Sequence, residues 1–390
     1  MATSDPDYSR QLLTSRPTVV LYCLFRYGTG HWVRTAALAE ALVPRFRVVV
    51  ASSGDVSSDL QLPAGVERVD MPQPPDQFVA TTPGPGPGLG VALASLVDRL
   101  DASLLVIESF PFGRQNLIVE MSRCLVRLRA RPRRPLVVSS TRDMEQTTQR
   151  GQDWLDRLTR DTANRYFDAV LAHTDPRVVR FGETFPLASE LTIPVFETGY
   201  VTRDPGGVVA SVRAPVVIVS AGGGRGGDAL VLAAAAAQER TDLSADFAMR
   251  VYAGTYVSDS TWERLQAVAR GTPRLEVARW SSDLRAELGR ASVSVSRCGY
   301  NTAVDVIASG VRALMVPFAP PNEDEQTRRA GRLAGLGLVR VAAEAGLTPD
   351  GLASEIRQTA GWSPGSMDVD LGGAARSAAL LHEWVARGAV

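Results

Sequence analysis

Pro215–Glu239 reads PVVIVSAGGGRGGDALVLAAAAAQE, and this stretch decides the fold. A short Val/Ile run is broken by a glycine cluster, and an Ala/Leu-rich segment follows from Asp228. A strand apolar on both faces, a glycine turn and a helix make the opening unit of a parallel α/β sheet. The same order opens the chain. Thr18–Phe25 (TVVLYCLF) is followed by a turn holding Gly28 and Gly30, then by helical spacing from about His31 to Leu42. Between the two units lie apolar runs at Phe46–Ser52, Ser103–Ile107, Pro135–Ser140 and Ala169–His173. Beyond the second come Phe247–Tyr252, Leu275–Ala278, Val293–Ser296 and Ala313–Val316. Thr198–Val208 (TGYVTRDPGGV) is the best linker. The expected fold is α/β, with two Rossmann-like doubly wound domains facing a cleft, over 1–205 and 210–372. A last helix within 373–390 is expected to cross back onto the first domain.

Composition narrows the chemistry. The chain has 390 residues, is 45% apolar and 22% charged, and balances 42 basic against 42 acidic residues. Every basic residue is Arg, which excludes a Schiff-base lysine and a P-loop lysine. Zero net charge gives no case for nucleic acid or an anionic membrane. Cys23, Cys124 and Cys298 form no CxxC pair, and there are three histidines, so no metal site is expected. No signal-peptide pattern and no run of ~18 apolar residues is visible, so a cytoplasmic protein without stable membrane insertion is expected. Thr81–Gly90 (TTPGPGPGLG) reads as a surface insertion or a lid. The six arginines of Arg123–Arg134 read as a solvated helix face.

The first turn begins like a G-x-G-x-x-G fingerprint, but Val33 stands at the third glycine, which argues against a nicotinamide cofactor. His31 opens the following helix. It either serves the cap or, kept neutral by the helix N-terminus, accepts a proton beside a cleft. Glu108 directly follows the run Ser103–Ile107, at a strand end. It either orients a neighbouring imidazole or pairs structurally with Arg114 or Arg142. Arg142 and Asp143 close the next run and are cleft candidates by position.

In the second half, Gly222, Gly223 and Gly224 with Arg225 form either a phosphate cradle or a plain surface turn. Ser296–Asp305 (SRCGYNTAVD) ends one strand and opens a helix. Gly299, Asn301 and Thr302 fall in its first turn, as ligand donors or as helix caps, with Arg297 beside them. Asp305 lies one turn on, on the same face, where a carboxylate suits a ribose diol. Glu325 and Gln326 follow another strand end and could hold sugar hydroxyls.

The segment SRCGYNTAVD resembles the signature of the lipid II N-acetylglucosaminyltransferase group and the HCGWNS-type box of other GT-B glycosyltransferases. An ordered set of further motifs resembles a bacterial family of glycosyltransferases related to that group. These are TGH at Thr29, ESFPFGR at Glu108, TRD at Thr141, FDAVLAHTDP at Phe167, TGYV at Thr198, SAGGG at Ser220, GYNT at Gly299 and EQ at Glu325. The resemblance implies a GT-B fold and an inverting, metal-independent transfer from a nucleotide-diphosphate sugar to a hydroxyl. It needs no cofactor beyond that co-substrate. It implies that Gly299, Tyr300, Asn301 and Thr302 contact the diphosphate and Asp305 the ribose. Glu325 and Gln326 would meet the sugar, and Trp280 and Ser281 would line the base pocket. His31 would be the base, Glu108 its orienting acid, and Gly28, Gly30, Arg142 and Asp143 would face the acceptor. With the all-Arg composition, the resemblance implies a small-molecule acceptor in natural-product (antibiotic) biosynthesis. A nucleotide-sugar hydrolase or 2-epimerase is the alternative on this architecture.

Overall fold

The apolar runs form two parallel sheets in the computed structural model. It describes residues 16–25, 29–54, 60–74, 87–145, 147, 151–203, 213–224, 226–240, 247–281, 283–320 and 323–388. In the first half, β1 (Thr18–Leu24), β2 (Arg47–Ser53), β3 (Val66–Asp70), β4 (Leu104–Glu108), β5 (Leu136–Arg142), β6 (Ala169–His173) and β7 (Val195–Glu197) stand in the order β3-β2-β1-β4-β5-β6-β7. In the second, β8 (Ala214–Ser220), β9 (Ala248–Tyr252), β10 (Leu275–Ala278), β11 (Ala291–Ser296), β12 (Arg312–Met315) and β13 (Arg340–Val341) stand in the order β10-β9-β8-β11-β12-β13. All residues of β1 and β4 are buried, as strands covered on both faces require. Both orders reverse direction once, between β1 and β4 and between β8 and β11. Doubly wound sheets bind ligands outside the strand C-termini at such switch points.

The strands are joined by α1 (Gly30–Leu42), α2 (Leu89–Arg99), α3 (Ile118–Arg129), α4 (Gln152–Tyr166), α5 (Phe181–Thr184), α6 (Asp228–Ala237), α7 (Asp259–Gly271), α8 (Leu284–Arg290), α9 (Tyr300–Ser309), α10 (Glu325–Gly335) and α11 (Pro349–Gly361). Trp32, Leu38, Ala39 and Leu42 of α1 pack into the core beside β1 and β2. The final helix α12 (Gly373–Ala386) joins that core through Ala378 and Leu381. His382 meets Phe46 edge-on at 5.9 Å between centroids, and Trp384 meets Phe196 at 5.2 Å. The chain reaches α12 by crossing the first connection. Tyr200 N donates to Asp370 O at 2.7 Å and Gly373 N to Tyr200 O at 3.0 Å. A Cβ on Gly373 would stand 2.2 Å from Gly199 O, so this crossing requires glycine.

Three edge strands, β3, β7 and β13, were not expected from sequence. The insertion expected over Thr81–Gly90 lies outside the described residues up to 86, and its last residues, Leu89 and Gly90, instead open α2 and are buried. Gly28, Arg225 and the linker beyond Arg203 also lie outside the described residues. Among the described residues no helix is long and apolar enough to cross a membrane.

Candidate active site

Two hydrogen bonds hold the switch points together. Thr29 N donates to Gly223 O at 3.1 Å, and Asn301 Nδ2 donates to Gly30 O at 3.0 Å. The β1–α1 turn thus touches both the glycine turn after β8 and the start of α9. A Cβ on Gly223 would stand 2.0 Å from Thr29 Oγ1, so the approach depends on that glycine.

His31 is the second residue of α1 and Glu108 the last of β4. Pairing of β1 with β4 makes them neighbours, and Nδ1 of His31 lies 2.6 Å from Oε1 of Glu108. Arg34, one helical turn beyond His31, bonds the same oxygen, as does Ser109 Oγ at 3.1 Å. Ser109 has a φ of +60°, a conformation rare outside glycine, at the point where the chain leaves β4. Burial lowers the pKa of His31, and the attraction of Glu108 only partly opposes it. Burial opposes charge on Glu108 as well, yet His31 and Arg34 outweigh it and hold the carboxyl well below the usual carboxylate range. The carboxylate can only accept, so Nδ1 donates and Nε2 carries the free lone pair. A neutral imidazole fixed in that tautomer is equipped to take a proton.

Across the cleft, Gly299 caps α9 without any side-chain hydrogen bond, and Gly227 does the same for α6. A Cβ on Gly224 or on Gly299 would meet nothing within 4 Å, so both backbones face open space. Gly222 has a φ of +75° in the same turn. Two uncapped helix starts and a glycine turn supply N–H groups and positive dipole ends suited to an anion. Trp280, after β10, is half exposed, while Ser281 Oγ is taken by Glu287 Oε1 at 2.5 Å. Burial pushes the Asp305 carboxyl up to about 7, with Arg285 offsetting only part of it and Asp283 adding to it.

Several residues expected to meet substrate are engaged with other parts of the protein. The Arg297 guanidinium is buried, paired with Glu344, and donates to Gly226 O and Val316 O, so it braces the glycine turn. Asp143 is fully buried and accepts both Arg329 Nε at 2.8 Å and Nη2 at 2.6 Å. Arg142 spans the halves to Glu325 at 2.9 Å, and Glu325 also accepts from Arg329. Gln326 Oε1 accepts from Cys298 N and Phe318 N, both at 3.1 Å. Tyr300 is buried, donating to His173 O at 3.1 Å and accepting from Val201 N at 2.9 Å. Asp143, Arg142 and Tyr300 join the two halves across the cleft, while Arg297 and Gln326 brace the C-terminal half. Arg142 and Asp143 find partners 183 and 186 residues away in sequence, which no local pattern could show. Glu108 pairs with Arg34 rather than with Arg114 or Arg142. The i, i+3 spacing of His31 and Arg34 was the signal available for that.

Residues 217–361 match the glycosyltransferase family 28 C-terminal domain. The curated UDP-N-acetylglucosamine--N-acetylmuramyl-(pentapeptide) pyrophosphoryl-undecaprenol N-acetylglucosamine transferase of Vibrio vulnificus is 31% identical over 121 residues, 31% of this chain and 33% of that protein. The Syntrophotalea carbinolica protein of the same name is 35% identical over 86 residues, 22% of this chain and 24% of that one. The matched stretches thus span a third or less of these relatives. Among solved structures, Acinetobacter baumannii MurG aligns with TM-score 0.61 at 17% identity, covering 94% of this chain and 100% of its own. The calicheamicin glycosyltransferase CalG4 aligns with TM-score 0.59 at 17% identity, covering 96% and 93%. The whole chain has the GT-B fold.

Proposed function

Starting from a GT-B frame whose C-terminal half matches family 28, we propose that this chain is an inverting, metal-independent glycosyltransferase. It moves a sugar from a nucleotide-diphosphate sugar to a hydroxyl of a small-molecule acceptor. The observation that carries this reading is the His31–Glu108 pair seated where the first-half turn meets the glycine turn and the α9 start. One half offers a base and the other an anion site, with hydrogen bonds between them.

In this reading the first-turn amides of α9 at Gly299, Asn301 and Thr302, with the Gly222–Gly224 turn, bind the diphosphate. They stabilise the charge that develops as the anomeric C–O bond breaks. Asp305 takes the ribose diol and Trp280 stacks on the base. The imidazole of His31 removes the acceptor proton at Nε2 as the hydroxyl oxygen bonds the anomeric carbon, and Glu108 stabilises the resulting imidazolium. Attack opposite the leaving group inverts the anomeric centre. Relatives named as UDP-N-acetylglucosamine transferases support a UDP donor, and neighbours such as the calicheamicin glycosyltransferase support an acceptor from antibiotic biosynthesis.

The test is release of nucleoside diphosphate from a panel of UDP-, dTDP- and GDP-sugars incubated with small alcohols and glycosides. Acceptor-dependent release with an inverted product is expected. Equally fast release without acceptor supports a hydrolase, and no release with any donor overturns the reading.

A further inference from the structure

We propose that Arg34 is a positioning residue that makes the geometry of the His31–Glu108 pair depend on the C-terminal half. Three observations meet at this side chain. Its guanidinium bonds Glu108 Oε1, the same oxygen that takes Nδ1 of His31, and reaches Ser109 Oγ at 3.4 Å. It lies over the ring of Tyr300 with 5.4 Å from Cζ to the centroid. It is 3% exposed, with its Nε unpaired in the interior, so its charge acts at short range on the buried carboxylate and the aromatic face.

The consequence follows from electrostatics. His31 is faced by Glu108 on β4, Arg34 on its own helix, Arg114 after β4, Arg142 at the end of β5 and Glu145 after it. Arg34 shares the Glu108 charge with the imidazole, so Glu108 orients the ring without holding the proton too firmly. A cation over an aromatic face is attracted to it, most strongly when desolvated. Tyr300 is the first residue of α9, where the anion site begins. Moving α9 away from the first half removes the ring beneath Arg34 and loosens its grip on Oε1. Base geometry and donor-domain docking are thereby linked through one side chain.

The inference builds on His31 as the base, but its test needs no turnover. With three histidines in the chain, the His31 ring signal of the ligand-free full-length protein can be assigned through His173→Gln and His382→Gln. Imidazole 13C and 15N shifts are followed from pH 4.5 to 9. In Arg34→Gln the His31 midpoint rises by about half a unit or more, and the ring mixes tautomers. Arg34→Lys, which keeps the charge but not the planar stack, stays near the parent midpoint yet mixes tautomers. Tyr300→Leu shifts both readouts in the direction of Arg34→Gln, by less. A folded Arg34→Gln variant with unchanged midpoint and tautomer overturns the inference, and so does a Tyr300→Leu variant that moves neither. Should donor turnover fail while these shifts appear, the glycosyltransferase reading falls and the positioning role stands.

Discussion

At the scale of single residues, two titratable groups carry opposite protonation tasks. Burial keeps His31 neutral down to a pH below its usual range, so the form proposed as the base persists in mild acid. His31→Ala is expected to lower turnover by ~100–10,000-fold with nucleotide affinity intact, measured by steady-state rates beside calorimetry. Asp305 works the other way. Its folded pKa of about 7 lies above the ordinary carboxylate value, so its ionisation weakens the fold as pH rises through 7. Asp305→Asn is expected to raise stability at pH 8 by about 1–2 kcal/mol in chemical denaturation, while weakening nucleotide binding by about 1–3 kcal/mol. A ribose diol that donates to this carboxylate favours its charged form. Binding near pH 6.5 should therefore release protons, seen as a binding heat that changes with buffer.

At the scale of elements, turns position the chemistry and strands only deliver it. Gly223 and Gly224 are adjacent, yet the structure assigns them different sensitivities. Gly223→Ala drives a methyl into Thr29 and pushes the halves apart, so kcat/KM should fall at least tenfold. Gly224→Ala meets open space, so Tm should hold while nucleotide affinity drops, because the methyl enters the volume assigned to phosphate. A Gly224→Ala variant that binds nucleotide as well as the parent would remove this turn from the donor site.

The central strands were legible because β1, β4 and β8 are near-continuous apolar runs, and the helices after β1 and β8 follow glycine turns. Edge strands were not. β3 reads VERVD with three exposed residues, and its single neighbour asks for little apolar pattern. The place of His31 and Glu108 was readable from strand ends alone, whereas the engagement of Asp143, Arg297 and Glu325 was not, because their partners come from distant elements.

At the scale of the whole molecule, the cleft is bolted by ion pairs between the halves. The Asp143–Arg329 pair is fully buried, so removing one partner strands a charge in the interior. Arg329→Met is expected to cost about 3–5 kcal/mol in denaturant unfolding. Splitting of the transition into two would show the halves losing their coupling. His173 adds a pH dependence. Burial depresses its pKa to about 3, and its two ring nitrogens meet Ser140 and Thr198 at 2.8 Å. The unfolded chain takes up a proton below about 6.5 that the folded chain refuses until about 3. Stability should fall across that window by about 1.4 kcal/mol per pH unit from this residue, and His173→Gln should flatten the slope.

The donor site in the C-terminal half is tested most directly by calorimetric titration of the full chain with UDP, dTDP, GDP, ADP and CDP, repeated on Gly299→Val and His31→Ala. One nucleoside diphosphate should bind the parent and His31→Ala alike and bind Gly299→Val at least tenfold more weakly. Binding of none of the five to the folded parent, or equal binding to Gly299→Val, would contradict the account.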